Sequence, residues 1–397
     1  MKAQTLRYAL ALGLLASPSL LQAQTHYPAG VEGIKAASLP PPGVYFRDYN
    51  YIYFADEFKG GPPDFNLLAY VQAPRLIWIS DFQVLGGYYG ERRVYHSPHY
   101  WQPFGAALVN RLLDLDEARL AAMDAIGVDM AVLSHTAPTP EQLEPKLATA
   151  IARDANDKLA AAIDRHPDRY LGFATLGPRE PEEAVKELER CVKELGFVGW
   201  NTHSNFGDSY LDDKRYWPIL AKCEELGVPI YLHPTFPIIP QLTDYGLALA
   251  GPGFGFGIET SLVMMRLIMA GVFDAFPRLT IILGHYGEAL PFLIKRVDRS
   301  FLQYHVPRGS GSMPALKKRP SEYLLSNMYV TTSGNFFAGA FECTRTALGI
   351  EKIMLGTDYP FEDTVESGAF LDSLGLSADE RAALYEENPK RLGFARR

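Results

Sequence analysis

From about Tyr100 to the C-terminus, short apolar runs alternate with longer amphipathic ones. That alternation points to a parallel sheet wrapped by helices, since each strand then buries both faces and each helix buries one stripe. The strand-like runs are Met130–Ser134, Tyr170–Ala174, Val198–Asn201, Pro229–His233, Leu279–Gly284, Met328–Thr332 and Lys352–Gly356. Helical spacing is expected over Leu115–Ile126, from about Glu141 to His166, and over Pro181–Glu194. It recurs over Tyr216–Leu226, Glu259–Ala270, Leu290–Tyr304 and Ala338–Leu348. These are seven strands, whereas a closed barrel of this kind has eight. The chain enters the pattern on a helix, so the absent unit is the first strand. Leu76–Ser80 ends at the right distance before the first helix to fill that place. The expected fold is therefore α/β: a (β/α)8 TIM-type barrel lacking or substituting its first strand, with a short β-rich N-terminal extension.

The 397 residues suffice for one such barrel and an appendage. Lys2 and Arg7, then the apolar run Tyr8–Leu15 and a small-residue site after Ala23, read as a signal peptide over residues 1–23. That leader is expected to send the chain to the periplasm or outer membrane. Residues 24–90 differ in composition, being rich in Pro, Gly and aromatics. Tyr45, Tyr49, Tyr51 and Tyr53 fall on one face of a strand, Gly60–Asp64 reads as a turn, and strand-like runs follow at Asn66–Val71 and Arg75–Phe82. A handful of strands cannot close a membrane barrel, so a soluble β-rich extension stands beside possible membrane association of this segment. Residues 91–397 are assigned to the catalytic barrel. The net charge of −8 argues against a nucleic-acid partner. Cys191, Cys223 and Cys343 are odd in number and form no CxxC pair, so they read as core or helix-surface thiols.

In an eight-fold barrel the chemistry gathers where the strands end. Here those ends carry His135, Asn201-Thr202-His203, His233-Pro234, His285, Thr332-Ser333 and Asp358. Neutral imidazole and carboxylate are suitable ligands for Zn or Mn. A single strand-end histidine is more often a satisfied polar residue, but ionisable groups ending three strands of one sheet point to a metal site at His233 and Asp358. Glu288 precedes the helix at Leu290, where a capping role is the plain alternative. Phe236 and Phe361 stand next to the proposed ligands and suit either an aromatic substrate wall or packing.

Four motifs carry a resemblance. They are Tyr231-Leu-His-Pro, Ile281-Ile-Leu-Gly-His-Tyr-Gly-Glu, Thr332-Ser-Gly-Asn-Phe and Gly356-Thr-Asp-Tyr-Pro-Phe-Glu. In this order, over residues 100–394, they resemble the amidohydrolase-related family, most closely the γ-resorcylate and dihydroxybenzoate decarboxylases. The resemblance implies metal-dependent, non-oxidative decarboxylation of a hydroxybenzoate-like acid. His233 would be a metal ligand, Asp358 a ligand that also moves protons, and His285 and Glu288 polar catalysts behind them. The family also implies a homo-oligomer, in relatives that are cytoplasmic. Separately, Ala36–Asn50 and Tyr70–Trp78 resemble the start of barrel proteins associated with phenol meta-pathway degradation.

One departure stands out. The family's first strand ends in a pair of ligands, His-x-His or Glu-x-His, and nothing like it precedes Leu115. His96 and His99 are not at a strand end, and the nearest positional match offers only Asp81. The pattern reads as a gene fusion in which a secreted β-segment replaced that strand, with the divalent metal (Zn or Mn) bound weakly if at all. Two other readings stay open: a metal-dependent hydrolase on the same scaffold, and a catalytically impaired fusion product. The charged amphipathic helices after Leu115 argue against an outer-membrane channel component.

Overall fold

The computed structural model describes residues 43–55, 67–84, 87–90, 105–137, 139–305 and 314–394. The expected leader, the turn at Gly60–Asp64, His96 and His99 lie outside these residues. The chain divides into two compact units, Met1–Asp81 and Phe82–Arg397.

In the first unit, strand β1 (Gly43–Ala55) pairs antiparallel with β2 (Leu67–Val84), from Gly43 opposite Ile79 to Ala55 opposite Leu67. The two strand-like runs expected between Asn66 and Phe82 are thus one continuous strand, in which Gln72–Pro74 also pair. Asp81 lies within β2 rather than at a strand end. A short strand, β3 (Gly87–Gly90), follows.

In the second unit β4 (Ala131–Leu133), β5 (Tyr170–Ala174), β6 (Gly199–His203) and β7 (Ile230–His233) lie side by side in chain order. The same parallel sheet continues through β8 (Ile281–Leu283), β9 (Met328–Thr331) and β10 (Ile353–Met354). Parallel strands adjacent in chain order, joined through helices, make this a TIM-type α/β barrel. Among the described residues this sheet has seven strands, with β10 at one edge and β4 at the other, and Leu76–Ile79 pair with β1 in a separate sheet.

Strand periodicity sorts the side chains. Ile230, Leu232, Ile281, Leu283, Met328, Val330 and Ile353 pack outward into the large core beneath the helices. Tyr231, Ile282, Tyr329 and Met354 fall into a separate inner cluster with Phe173 and Val198. By the same period-two rule His233 shares the inner face with Tyr231, and His203 shares it with Asn201.

Helix boundaries follow local chemistry. The helix expected from Glu141 begins instead at Pro145 and runs to Arg165, with Glu141 in a separate one-turn 3-10 segment, Pro140–Gln142. Proline fits the first helical position but disfavours helical geometry in the residue before it. The helix expected at Glu259 starts at Gly255 and ends at Met269. The one expected from Leu290 to Tyr304 is helical to Ser300 and then a π-turn, Phe301–His305. Cys191 and Cys223 are buried, Cys343 is half-buried, and all three are free thiols.

Candidate active site

The rim of the sheet at the C-terminal ends of its strands is built from an unusual backbone. His285, Tyr286 and Glu288 adopt positive φ values of 51°, 59° and 55°, and Asp358 adopts 58°. Non-glycine residues held in the left-handed region concentrate where the surrounding fold over-determines them, often at functional sites. Here the turn after β8 brings the His285 and Glu288 side chains together. The His285 Nδ1–H donates to Glu288 Oε1 at 2.7 Å, and His285 Nε2 lies 3.6 Å from Asp358 Oδ2. Glu288 therefore orients an imidazole rather than capping the following helix.

Two glycines make this packing possible. A Cβ on Gly334, which has φ +61°, would sit 3.0 Å from Asp358 Oδ2 and 3.1 Å from His285 Cδ2. One on Gly257 would sit 2.4 Å from Glu288 Oε2. A hydroxyl ladder supports the turn from below: Tyr231 OH contacts Thr331 Oγ1 at 3.1 Å, and Thr331 Oγ1 contacts Ser333 Oγ at 2.9 Å. Ser333 Oγ in turn accepts from the His285 N–H at 3.3 Å.

Charges in this cluster are mutually set. Burial disfavours the imidazolium of His285, but the carboxylates of Glu288 and Asp358 outweigh it and hold its pKa up to about 10. Burial also disfavours the carboxylate of Asp358, yet its hydrogen bond and attraction to His285 hold it below the usual carboxylate range. At neutral pH the proton of this pair thus rests on His285. His233 goes the other way. Burial, then the neighbouring His203, push it down to about 3. Its Nδ1–H donates to the Pro234 carbonyl at 2.7 Å, which leaves the lone pair on Nε2. Neutral imidazole with a free Nε2 is the form that binds a metal.

The structure therefore brings His285, Glu288 and Asp358 into one hydrogen-bonded and ionic chain, and His233 shares its electrostatic field with Asp358 and His285. Phe236 is 41% exposed, while the Phe361 N–H closes a turn onto the Asp358 carbonyl at 2.8 Å. His233 and Asp358 are the groups suited to hold a divalent ion. Among the described residues, however, no set of three or more His, Cys, Asp or Glu side chains is gathered for one.

Two buried carboxylates entered the reading of the sequence only as helix starts, not as site residues. Glu141 accepts from Thr139 Oγ1 at 2.6 Å, Thr202 Oγ1 at 2.9 Å and His203 Nδ1 at 2.9 Å. Glu259 accepts from Ser204 Oγ at 2.7 Å, Asn205 Nδ2 at 2.7 Å, Tyr210 OH at 3.2 Å and the Ile238 N–H at 2.7 Å. It thereby ties together the loops after β6 and β7. The proline pair bracketing Glu141 was the available signal for the first; a helical position marked only by the polar residue in an apolar run was the signal for the second.

The amidohydrolase family profile matches residues 99–392. The chain is 39% identical over 303 residues to a gamma-resorcylate decarboxylase of Rhizobium radiobacter, covering 74% of this chain and 90% of that one. A 5-carboxyvanillate decarboxylase of Novosphingobium aromaticivorans, solved with manganese and 4-hydroxy-3-methoxy-5-nitrobenzoic acid, superposes with a TM-score of 0.70 at 34% identity. That match covers 76% of this chain and 85% of the other. A dihydroxybenzoic acid decarboxylase of Polaromonas sp., solved with manganese and the inhibitor 2-nitroresorcinol, gives 0.69 at 35% identity over 73% and 89% of the two chains.

Proposed function

The chain belongs to the amidohydrolase family, and from that premise we propose that it is a carboxy-lyase releasing carbon dioxide, without oxidation, from a hydroxybenzoate-like acid. The observation that carries this reading is the Asp358–His285–Glu288 chain at the barrel rim, with its proton stored on His285. In such a reaction the bond between ring and carboxylate breaks, its electron pair stays with the ring carbon, and a proton must reach that carbon. Asp358 hands over the proton, His285 supplies it, and Glu288 holds His285 in position. His233 and Asp358 are the residues that would hold a divalent metal. Such an ion, when bound, supplies Lewis acidity toward the substrate carboxylate and its neighbouring hydroxyl.

Metal binding is proposed to be weaker than in intact relatives. Affinity depends on ligand number and on how rigidly the ligands are held, and the described residues gather no set of three. The same observation favours a second reading, an impaired fusion product. A hydrolase is the remaining rival. Purified full-length chain, supplied with Zn or Mn, should convert phenolic acids to the corresponding phenols and leave amides and lactones untouched. Hydrolysis of the latter alone would refute the decarboxylase, and inertness toward all of them would identify the impaired product.

The N-terminal features support a proposal about location. Residues 1–23 act as a signal peptide that sends the chain to the periplasm or outer membrane, with the segment over residues 24–90 carried as a β-rich extension. The barrel itself assembles as a homo-oligomer. Fractionated cells should hold the processed chain in the envelope; full-length, uncleaved chain confined to the cytosol would contradict export.

A further inference from the structure

Three backbone groups in the loop after β7 are fixed by one carboxylate. The Thr235 N–H donates to Ser204 Oγ at 3.3 Å, and the Phe236 carbonyl accepts from Asn205 Nδ2 at 3.1 Å. The Ile238 N–H donates to Glu259 Oε1 at 2.7 Å. Ser204 Oγ and Asn205 Nδ2 both donate to Glu259 Oε2, each at 2.7 Å. All three pins therefore reach Glu259, directly or through one side chain. Glu259 is fully buried, and Tyr210 OH adds a further donor to Oε1 at 3.2 Å. A carboxylate held by so many donors has little room to turn. Loops are usually the mobile parts of a fold, and this one is built to be rigid.

What the rigid loop presents is an aromatic ring. Pro234, Thr235 and Pro237 are buried, while Phe236 among them is 41% exposed. Phe236 belongs to none of the packed apolar clusters of the described residues. Pinning a backbone so that such a side chain stands in water forgoes apolar burial, so it does little for the fold itself. The ring follows shortly after His233, at the rim where the strands end. A fixed apolar face at that rim suits stacking with a flat aromatic ring.

We propose that Glu259 is a positioning residue: through Ser204, Asn205 and Ile238 it holds the loop after β7 so that Phe236 forms one wall for the aromatic ring of the substrate. His233 is held by other means, the β6–β7 register and its own bond to the Pro234 carbonyl. The role of Glu259 is thus in ring binding and separate from proton transfer. This inference rests on the hydroxybenzoate reading above, but its first test needs no turnover.

Hydrogen exchange of the full-length chain is followed by mass spectrometry. Glu259→Gln should speed exchange over Thr235–Ile238 and leave β8 unchanged. Turnover of 2,6-dihydroxybenzoate with manganese gives the second readout. Phe236→Ala and Glu259→Gln should each raise KM about tenfold and change kcat much less, because the wall binds ground and transition states alike. The double variant should lose no more than either single one, since both act through the same wall. Mere loosening of the helix Gly255–Met269 would instead reach Glu288 through Gly257 and fall on kcat. If Glu259→Gln does not fold, Ser204→Ala removes the strut to Thr235 alone and should raise KM by a smaller factor. Unchanged loop exchange, additive losses, or a loss in kcat with KM unchanged would each overturn the proposal. A parent that releases no carbon dioxide would refute the decarboxylase, and calorimetry with 2,6-dihydroxybenzoate would then decide the wall. Binding weakened about tenfold in Phe236→Ala would sustain it, and equal binding would overturn it. Carbon dioxide release with a KM insensitive to Phe236→Ala would refute the wall alone.

Discussion

Replacing Asp358 by Asn is expected to lower the rate of carbon dioxide release by about 10²–10⁴-fold, the range usually lost with a positioned proton-transfer group. The substitution is well suited to the question. Asp358 sits at φ 58°, a region that Asn tolerates better than other side chains. Its shape is also kept beside Gly334, where the packing is tight. What disappears is the charge that pairs with His285 and the oxygen that can carry a proton. The folded state should therefore survive while the chemistry does not. Turnover with the parent's preferred hydroxybenzoate, measured alongside a thermal melt, checks both halves. Activity within a few-fold of the parent would remove Asp358 from the proton path.

The second large effect is on stability. Leu232→Ala is expected to cost about 2–5 kcal/mol, as large-to-small changes in packed cores do. Leu232 is fully buried in the core between the sheet and its helices, and it pairs with Thr202 on one side and Leu283 on the other. The strand cannot collapse into the gap, because it is hydrogen-bonded to neighbours on both edges. The next residue is His233, so loosening this strand also loosens a proposed ligand. A urea melt of the full-length chain reads the loss directly. A change below about 1 kcal/mol would mean that this layer is not close-packed.

Much of the second unit could be read from the residues. Ala338–Leu348 and Tyr170–Ala174 lie where their periodicity put them, because each is long or apolar enough to express one period clearly. The pairing of His285 with Glu288 was prefigured by their spacing and by Gly287 between them. Elements whose limits depend on single prolines were harder. Glu141 was drawn into the following helix, although Pro145 is better placed as that helix's first residue. The consequence was larger than a boundary error, since it hid the partner of His203. Asp81 was placed after a strand-like run ending at Ser80, whereas β2 continues to Val84 and so contains it. The need for glycine at positions 257 and 334 was not legible at all. It arises from side chains far apart in sequence, Glu288, Asp358 and His285, closing on the same space.

The central claim is that this barrel delivers a proton to the ring carbon that loses its carboxylate. The direct measurement is a reaction in deuterium oxide, with the full-length chain, manganese and a 2,6-dihydroxybenzoate substrate, followed by mass spectrometry and proton NMR of the phenol. One deuterium at the former carboxylate position, formed one-for-one with carbon dioxide and lost in Asp358→Asn, is the predicted result. Recovery of unchanged acid from a folded, metal-loaded chain that instead hydrolyses an amide or lactone would contradict it.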